Sequence, residues 1–359
     1  MGNQNVRIGI VGTGFGQSAM LPGFRLADGA EVVAICSRRR DRAEAAAQAH
    51  GIAMAFDDYH AMLAQARLDL FCVVTPVATH ATMTLAAIAA GCHVLCEKPA
   101  ALNTAEALAM MNAAQSAGVI HMIDHELRFN PTRAKIAELI GANYVGKVRY
   151  ASIRNVSGMR ADSQRAWDWW SELAQGGGAL GASGSHQVDL LRWWLGDIVA
   201  VSGRIDTHVR HRPDPARGGE LRAVDSDDQF SFIAELASGA AAHVFVSTVA
   251  YIGGSNQVEI HGDSGSLVLD SDDRLWGQQL NQSIPEEFTV LDPLEGIAGV
   301  PTNVWGRSFV HLARELVEAI AKGRPLARGA SFVDGLRCQQ ALDAVRRSHE
   351  QRCWIAVEE

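Results

Sequence analysis

Apolar residues enter this chain first as short unbroken runs and later as alternations. Val6-Arg7-Ile8-Gly9-Ile10-Val11, Glu31-Val32-Val33-Ala34-Ile35-Cys36, Asp69-Leu70-Phe71-Cys72-Val73-Val74, His93-Val94-Leu95-Cys96 and Val119-Ile120-His121-Met122-Ile123 have strand length and many β-branched residues. That is the pattern of strands buried on both faces. Helical patterns lie between them: to about Ala27, over about 40–49 with a stop at Gly51, from about Thr79 to Gly91, and over about 104–117 with a stop at Gly118. Glycine just past the last periodic residue is a common helix end. Alternating strand and helix predict an α/β fold, a doubly wound parallel sheet with right-handed crossovers.

The pattern changes near Asp124. Asn130-Pro131 opens a helix, with Asn130 as cap and Pro131 in the first turn. Longer strands then follow at about 148–157, 198–209, 227–237, 240–250, 256–261 and 266–270, with a turn at Ala237-Ser238-Gly239. They predict an α+β domain with a large, mostly antiparallel open sheet. The expected division is 1–124 and 125–359, with C-terminal helices over about 306–321 and 331–348 able to pack back on the first domain. The stretch 211–224, rich in Arg, Pro and Gly, reads as a mobile loop. A run beginning Gly176-Gly177-Gly178 precedes a helix predicted to open near Ser185 and end at Gly196.

Chemistry-bearing residues gather where the first strands end. Gly12-Thr13-Gly14-Phe15-Gly16-Gln17 joins the first strand to a helix. In a dinucleotide site Gly12 would allow the tight turn, and Gly14 would let the backbone approach a pyrophosphate lying on the helix N-terminus. The third glycine of G-x-G-x-x-G would fall at Gln17, and Gly16 comes one position early, so helix and strand must pack somewhat differently. An acid at the end of the second strand would accept the ribose hydroxyls of NAD. Ser37-Arg38 stands there instead, suited to a 2′-phosphate, so NADP is favoured over NAD. Arg39 and Arg40 read as the solvated start of the next helix. Pro99 ends the strand before it, which leaves Glu97 and Lys98 at its carboxyl end, the edge where ligands bind in open α/β sheets.

Composition narrows the partners. A formal charge of −8 over 359 residues argues against a nucleic-acid or acidic-membrane partner. No apolar run approaches the roughly 18 residues of a membrane span. The start lacks the basic and cleavage segments of a leader. Met1-Gly2 begins like an acylation signal, but Val6 occupies the Ser/Thr position. The expectation is a cytoplasmic protein. Of six cysteines, Cys36, Cys72 and Cys96 fall in buried strands, and the Cys92/Cys96 spacing has no matching pair, so no metal site is expected.

Gly12-Thr13-Gly14, Glu97-Lys98-Pro99 and the glycine run ending in His186-Gln187-Val188-Asp189 together resemble the Gfo/Idh/MocA oxidoreductases, which include glucose–fructose oxidoreductase and inositol dehydrogenase. The likeness runs through Ile260-His261-Gly262-Asp263-Ser264-Gly265. It implies an N-terminal Rossmann domain, a C-terminal antiparallel sheet, a nicotinamide cofactor in the cleft between them, and a homodimer or homotetramer formed through the open sheet face. By position it implies that Lys98 is the lysine of the E-K-P motif, that the Lys98–Pro99 bond is cis, and that Thr75, Pro76, His80 and Glu97 lie near the cofactor. It makes His186 the catalytic histidine and Asp189 the acid one helical turn on. The family often has an aspartate four residues before that histidine; this chain has Ala182.

The implied chemistry is NADP(H)-dependent hydride transfer to or from a sugar, polyol or related carbonyl compound. The alternatives are an NAD-dependent dehydrogenase of the same kind, a nucleotide-binding regulatory protein with reduced chemistry, and an enzyme whose bound cofactor cycles in place. Removing a carbinol hydride leaves a hydroxyl proton to be taken up, a role for His186. In the first turn of its helix the ring would be kept neutral by the helix dipole. Lys98 would polarise the reacting oxygen. Asp189 would orient His186 or pair with Arg192. Glu126, Arg128 and Trp167 are candidate substrate contacts, with mutual pairing for the first two and core packing for the tryptophan as the alternatives.

Overall fold

The computed structural model describes residues 5–252 and 255–358, except for the side chain of Ser255. Met1 and Gly2 lie outside the described residues. The chain forms two compact units. One runs to Asn130 and takes up Asp292–Leu336; the other comprises Pro131–Leu291 and the chain from Arg337. The first unit is thus discontinuous along the chain.

In the first unit, strands β1 (Val6–Val11), β2 (Ala30–Cys36), β3 (Met54–Phe56), β4 (Leu70–Val73), β5 (His93–Cys96) and β6 (His121–Ile123) form a parallel sheet in the order β3-β2-β1-β4-β5-β6. Chain order reverses between β1 and β4, the topological switch point of a doubly wound sheet. Helices α1 (Leu21–Arg25), α2 (Arg40–His50), α3 (Tyr59–Gln65), α4 (His80–Ala89) and α5 (Thr104–Ala117) connect the strands. The pair β3 and α3 carried no sequence signal: Met54-Ala55-Phe56 is too short to show a period, although Asp58 caps α3 by accepting the His60 N–H at 3.0 Å.

The turn after the glycine loop is π-helical over Gly16–Met20, closed by the Leu21 N–H on the Gly16 carbonyl. This wider turn accommodates the early glycine. A Cβ at Gly16 would lie 2.9 Å from Ile10 Cγ2, so Gly16 is the residue that lets helix and strand meet. Helix α8 (Val304–Lys322), capped by Asn303, returns late in the chain to finish this core. Its Phe309 packs edge-on against Phe24, and Leu312, Leu316 and Val317 join the same cluster as Ile8, Ile10 and Leu70.

The second unit is built on helix α6 (Pro131–Gly141), strand β7 (Val148–Val156), helix α7 (Ser185–Leu195), strand β8 (Ile198–Asp206) and the hairpin β9 (His211–Pro213) and β10 (Leu221–Ala223). Strands β11 (Gln229–Leu236), β12 (Ala241–Ser247), β13 (Ser255–Gly262), β14 (Gly265–Leu269), β15 (Leu275–Gln279), β16 (Glu286–Glu287) and β17 (Ile355–Ala356) follow. Among the described residues the large sheet has the order β16-β15-β14-β13-β7-β12-β11-β8-β17. Its pairs are antiparallel except β12 with β7, so the sheet is mixed. Alternation sets the faces: Phe230, Phe232, Ala234 and Leu236 of β11 are buried, while Ile233 and Glu235 point out. Helix α9 (Phe332–Gln351) contributes Val345 to the buried face, 2.9 Å from where a Cβ on Gly203 would lie.

The expectation of a mobile loop at 211–224 is corrected. The segment is the β9–β10 hairpin, and side chains that composition alone does not reveal hold it in place. Arg212 is fully buried and donates to the carbonyls of Arg160 and Asp162. Asp214 caps the short turn Pro215–Arg217 by accepting the Ala216 N–H at 2.9 Å. Among the described residues no helix is long and apolar enough to cross a membrane.

Candidate active site

The parallel register brings the first set of candidates to one edge. Val11 pairs with Cys36 and Val73, Val73 with Cys96, and Cys96 with Ile123. The next row continues the ladder: Gly12 N–H donates to Cys36 O (2.9 Å), Val74 N–H to Val11 O (2.8 Å), Glu97 N–H to Val73 O (2.9 Å) and Asp124 N–H to Cys96 O (2.8 Å). Gly12, Ser37, Thr75, Lys98 and Asp124 therefore all follow strands that end level with one another.

Each position is shaped for a purpose. Gly12 has φ +120°, and a Cβ there would sit 2.7 Å from the Val74 carbonyl carbon and closer still to its oxygen. A Cβ at Gly14 would meet nothing within 4 Å, so the loop presents open backbone there, flanked by Thr13 and the exposed Phe15. At the end of β2, Arg39 pairs with Asp41 and Arg40 with Glu44, as a solvated helix start would. Arg38 is exposed and, among the described residues, has no ion-pair partner. Ser37 Oγ accepts only a long bond of 3.4 Å from Arg39 N–H.

Thr75 and Pro76 lead into a short turn, Val77–Thr79, and Thr79 donates its hydroxyl to Thr75 Oγ1 at 2.7 Å. His80 is fully buried, with Nε2 2.9 Å from Thr75 O and Nδ1 3.0 Å from Pro99 O. It ties the loop after β4 to the turn after β5, where the Lys98–Pro99 peptide is cis. Burial pushes the His80 imidazole below its ordinary pKa.

Lys98 is half-buried at this edge, and its backbone N–H donates to Glu97 Oε2 at 3.2 Å. Behind it lies a buried acidic group formed by Glu97, Asp124 and Glu126. Burial, reinforced by the charges of Glu97 and Glu126, raises Asp124 well above the ordinary carboxyl range. Arg128 is buried and donates to Asp334 at 3.0 Å, which binds the turn after β6 to the start of α9. Asp334 is held below its usual value against the cost of burial by Arg128 and by the Ser331 N–H and hydroxyl.

His186 and Asp189 belong to the second unit. Both are buried, three residues apart on α7. The expected first-turn position of His186 is corrected. Helical backbone begins at Ala179 and runs through a π-helical turn, Leu180–Gly184, directly into α7. His186 therefore sits about two turns from the helix start, and the macrodipole argument for a neutral ring lapses, because that effect is confined to the first turn. Ala182 lies in the π-helical turn. The helix start is plugged by Asp227, whose Oδ2 accepts the Leu180 N–H at 2.7 Å and whose carbonyl accepts the Ala179 N–H at 2.9 Å. Gly178, at φ +109°, is required there: a Cβ would fall 3.0 Å from Asp227 Cγ and 3.2 Å from its nitrogen. Burial raises Asp227 to about 6. Arg192 of α7 donates to Asp197 at 2.7 and 2.9 Å.

Trp167 donates from Nε1 to Ala223 O at 3.1 Å, and the Arg222 guanidinium lies 3.4 Å above its ring. One ring face is thereby occupied by the hairpin. Asp124 and Asp227 were not singled out from sequence. Asp124 had a visible signal, a carboxylate directly after the last strand of a parallel sheet. Asp227 had none, since its partner lies 47 residues away. Among the described residues no cluster of three or more His, Cys, Asp or Glu is placed to hold a metal ion.

The edge fits a dinucleotide on the chain's own geometry: the Gly12 turn, the uncovered Gly14 backbone, and an unpaired arginine at the end of β2. Comparison with known proteins points the same way. Residues 6–125 match the model of an oxidoreductase family with an NAD-binding Rossmann fold, and residues 134–268 match the GFO/IDH/MocA C-terminal domain. An uncharacterized oxidoreductase of Synechocystis sp. is 29% identical over 98% of this chain and 96% of its own length. Levoglucosan dehydrogenase of Pseudarthrobacter phenanthrenivorans is 27% identical over 99% and 98%. The solved complex of levoglucosan dehydrogenase with NADH and levoglucosan superposes with a TM-score of 0.90 at 25% identity, covering 99% of this chain and 100% of the other. An oxidoreductase domain protein from Kribbella flavida gives 0.88 at 30% identity, covering 99% and 100%.

Proposed function

The chain belongs to the Gfo/Idh/MocA family of NAD-binding oxidoreductases, and from that membership we propose that it oxidises a carbinol of a sugar or polyol, or reduces the corresponding carbonyl. The observation that carries this reading is the level carboxyl edge of the parallel sheet, where bare Gly14 backbone follows β1 and the half-buried Lys98 follows β5. A bound nicotinamide supplies or accepts the hydride. Lys98 hydrogen-bonds the reacting oxygen and offsets the negative charge that grows on it. His186 takes the hydroxyl proton in oxidation and returns it in reduction. Asp189, one turn along the same helix, holds the ring. Gly12, Thr13, Gly14, Phe15 and Gly16 cradle the pyrophosphate, with Thr75, Pro76 and Glu97 on the nicotinamide side and His80 holding their loops together from behind. Glu126 lies on the substrate side, Arg128 acts through its pair with Asp334, and we assign Trp167 to the hairpin.

For the nucleotide we take the 2′-phosphorylated form, because Arg38 stands unpaired where an acid would serve NAD. The NADH bound by levoglucosan dehydrogenase favours the second reading, NAD. Steady-state kinetics with both nucleotides over a panel of sugars and polyols tests these points. A higher kcat/KM with NAD overturns the nucleotide assignment and leaves the reaction standing. A His186→Asn enzyme that binds nucleotide yet keeps its full hydride-transfer rate overturns the proton role. The exposed sheet face carrying Tyr150 and Ile233 is assigned to a second copy of the chain. A monomer mass by light scattering would refute that.

A further inference from the structure

The buried acids behind Lys98 carry more information than a lining. Asp124 and Glu97 follow Ile123 and Cys96, which pair in register on adjacent parallel strands, so the two side chains are neighbours in one row. Asp124 is 1% exposed and Glu97 9%. The Glu97 carboxyl is among the groups that hold Asp124 above the ordinary carboxyl range, after burial itself. Yet among the described residues both side-chain oxygens of Asp124, and Oε1 of Glu97, meet no donor. Carboxylates can only accept, so two ionised groups in this position would leave three buried acceptors unsatisfied and two like charges side by side. One proton removes the repulsion and engages two of the three oxygens, because a protonated carboxyl donates to its neighbour.

We propose that Glu97 and Asp124 hold a single proton between them, and that this hydrogen-bonded pair, bearing one negative charge instead of two, is the group that faces Lys98. The proposal rests on the reading of Lys98 as the residue that polarises the reacting oxygen. The titratable groups around the pair are Lys98 and Glu126, the thiols of Cys72 and Cys96, and His80 beside Glu97. A second full carboxylate would draw the ammonium back into the sheet edge. With one charge shared, the pair pulls less strongly on the Lys98 ammonium. Asp124 is in this sense a positioning residue. It acts through Glu97 and Lys98, and no proton is transferred from it in the reaction.

Infrared difference spectroscopy on the whole protein tests the proposal. A protonated carboxyl has a carbonyl stretch that shifts in heavy water and that carboxylates lack. Recorded at about pH 8, beyond the range in which Asp227 protonates, wild type should show the band, His186→Asn should keep it, and Asp124→Asn should lose it. Absence of the band from wild type overturns the shared proton whatever becomes of the activity. Survival of the band in His186→Asn without turnover separates the pair from the reaction. In kinetics, Asp124→Asn supplies a permanent donor to Glu97 and Asp124→Ala supplies none. The alanine enzyme should lose roughly tenfold more kcat than the asparagine enzyme, and the basic limb of kcat/KM should move in both. Equal losses with an unmoved pH profile refute the positioning role, leaving Asp124 a structural residue only.

Discussion

Replacing Gly12 and Gly14 by alanine, one at a time, should move stability in opposite directions while both weaken nucleotide binding. At Gly12 the φ of +120° is one that L-residues rarely adopt, and the new methyl would lie 2.7 Å from the Val74 carbonyl carbon, well inside the 3.4–4 Å of ordinary contact. Strained backbone costs about 1–3 kcal/mol, and overpacking a further 1–3 kcal/mol or so. The first unit of Gly12→Ala should therefore melt roughly 5–20 °C below wild type, taking about 2–4 °C per kcal/mol for a unit of this size. At Gly14 φ is not positive, and nothing lies within 4 Å of the added methyl. Alanine there restricts the unfolded chain and should raise stability by about 0.4–1 kcal/mol. The same methyl enters the space assigned to the pyrophosphate, so the Kd for NADP(H) should rise at least about tenfold, or about 1.4 kcal/mol. Melts without nucleotide and calorimetric titration with it separate the two effects. A Gly14→Ala protein that binds nucleotide as wild type does would refute the phosphate cradle, and a Gly12→Ala protein of undiminished stability would refute the steric account of the turn.

Asp227, raised to about 6 by burial, binds its proton more tightly folded than unfolded. The stability it contributes is complete below about pH 4 and is lost as pH climbs through about 6. Asp227→Asn keeps an acceptor for the Leu180 N–H without this dependence, so its stability relative to wild type should improve by about 2–3 kcal/mol between those limits; parallel urea-denaturation curves would contradict that. Arg38→Glu should cut kcat/KM for NADP by roughly tenfold or more with little effect on NAD, and equal losses with both nucleotides would remove Arg38 from the 2′-phosphate site. Phe309→Ala empties a fully buried site against Phe24 and should cost about 3–5 kcal/mol in denaturant unfolding.

What was legible in the sequence follows from length of pattern. Runs such as Ile8–Val11 and Phe71–Val73 are buried on both faces and so carry no polar interruption. The strand of Met54-Ala55-Phe56 is three residues long and borrows its identity from its neighbour β2. The hairpin at 211–223 looked like loop because its stability comes from Arg212, Trp167 and Asp214, polar and aromatic groups whose partners are remote or backbone. The stretch from Ala179 to Gly184 was read as a glycine-rich approach, since glycine disfavours helix. It is helical because Asp227 satisfies its first N–H groups and Gly184 lets the turn come within contact of Phe230. Lys98, His186 and Asp189 were found by motif. Asp124 could have been found by the same strand-end logic that singled out Lys98.

The late return of α8 has a consequence for biosynthesis. Once Asn130 has left the ribosome, all six strands of the parallel sheet exist, but the patch around Phe24, Ile8 and Leu70 that Phe309, Leu312 and Val317 will cover is still bare. About 180 further residues must be polymerised before the cover arrives, some 10–35 s at ordinary elongation rates of roughly 5–20 residues per second. During that interval the nascent chain carries an uncovered apolar face, and its first 130 residues cannot complete their core until α8 is made.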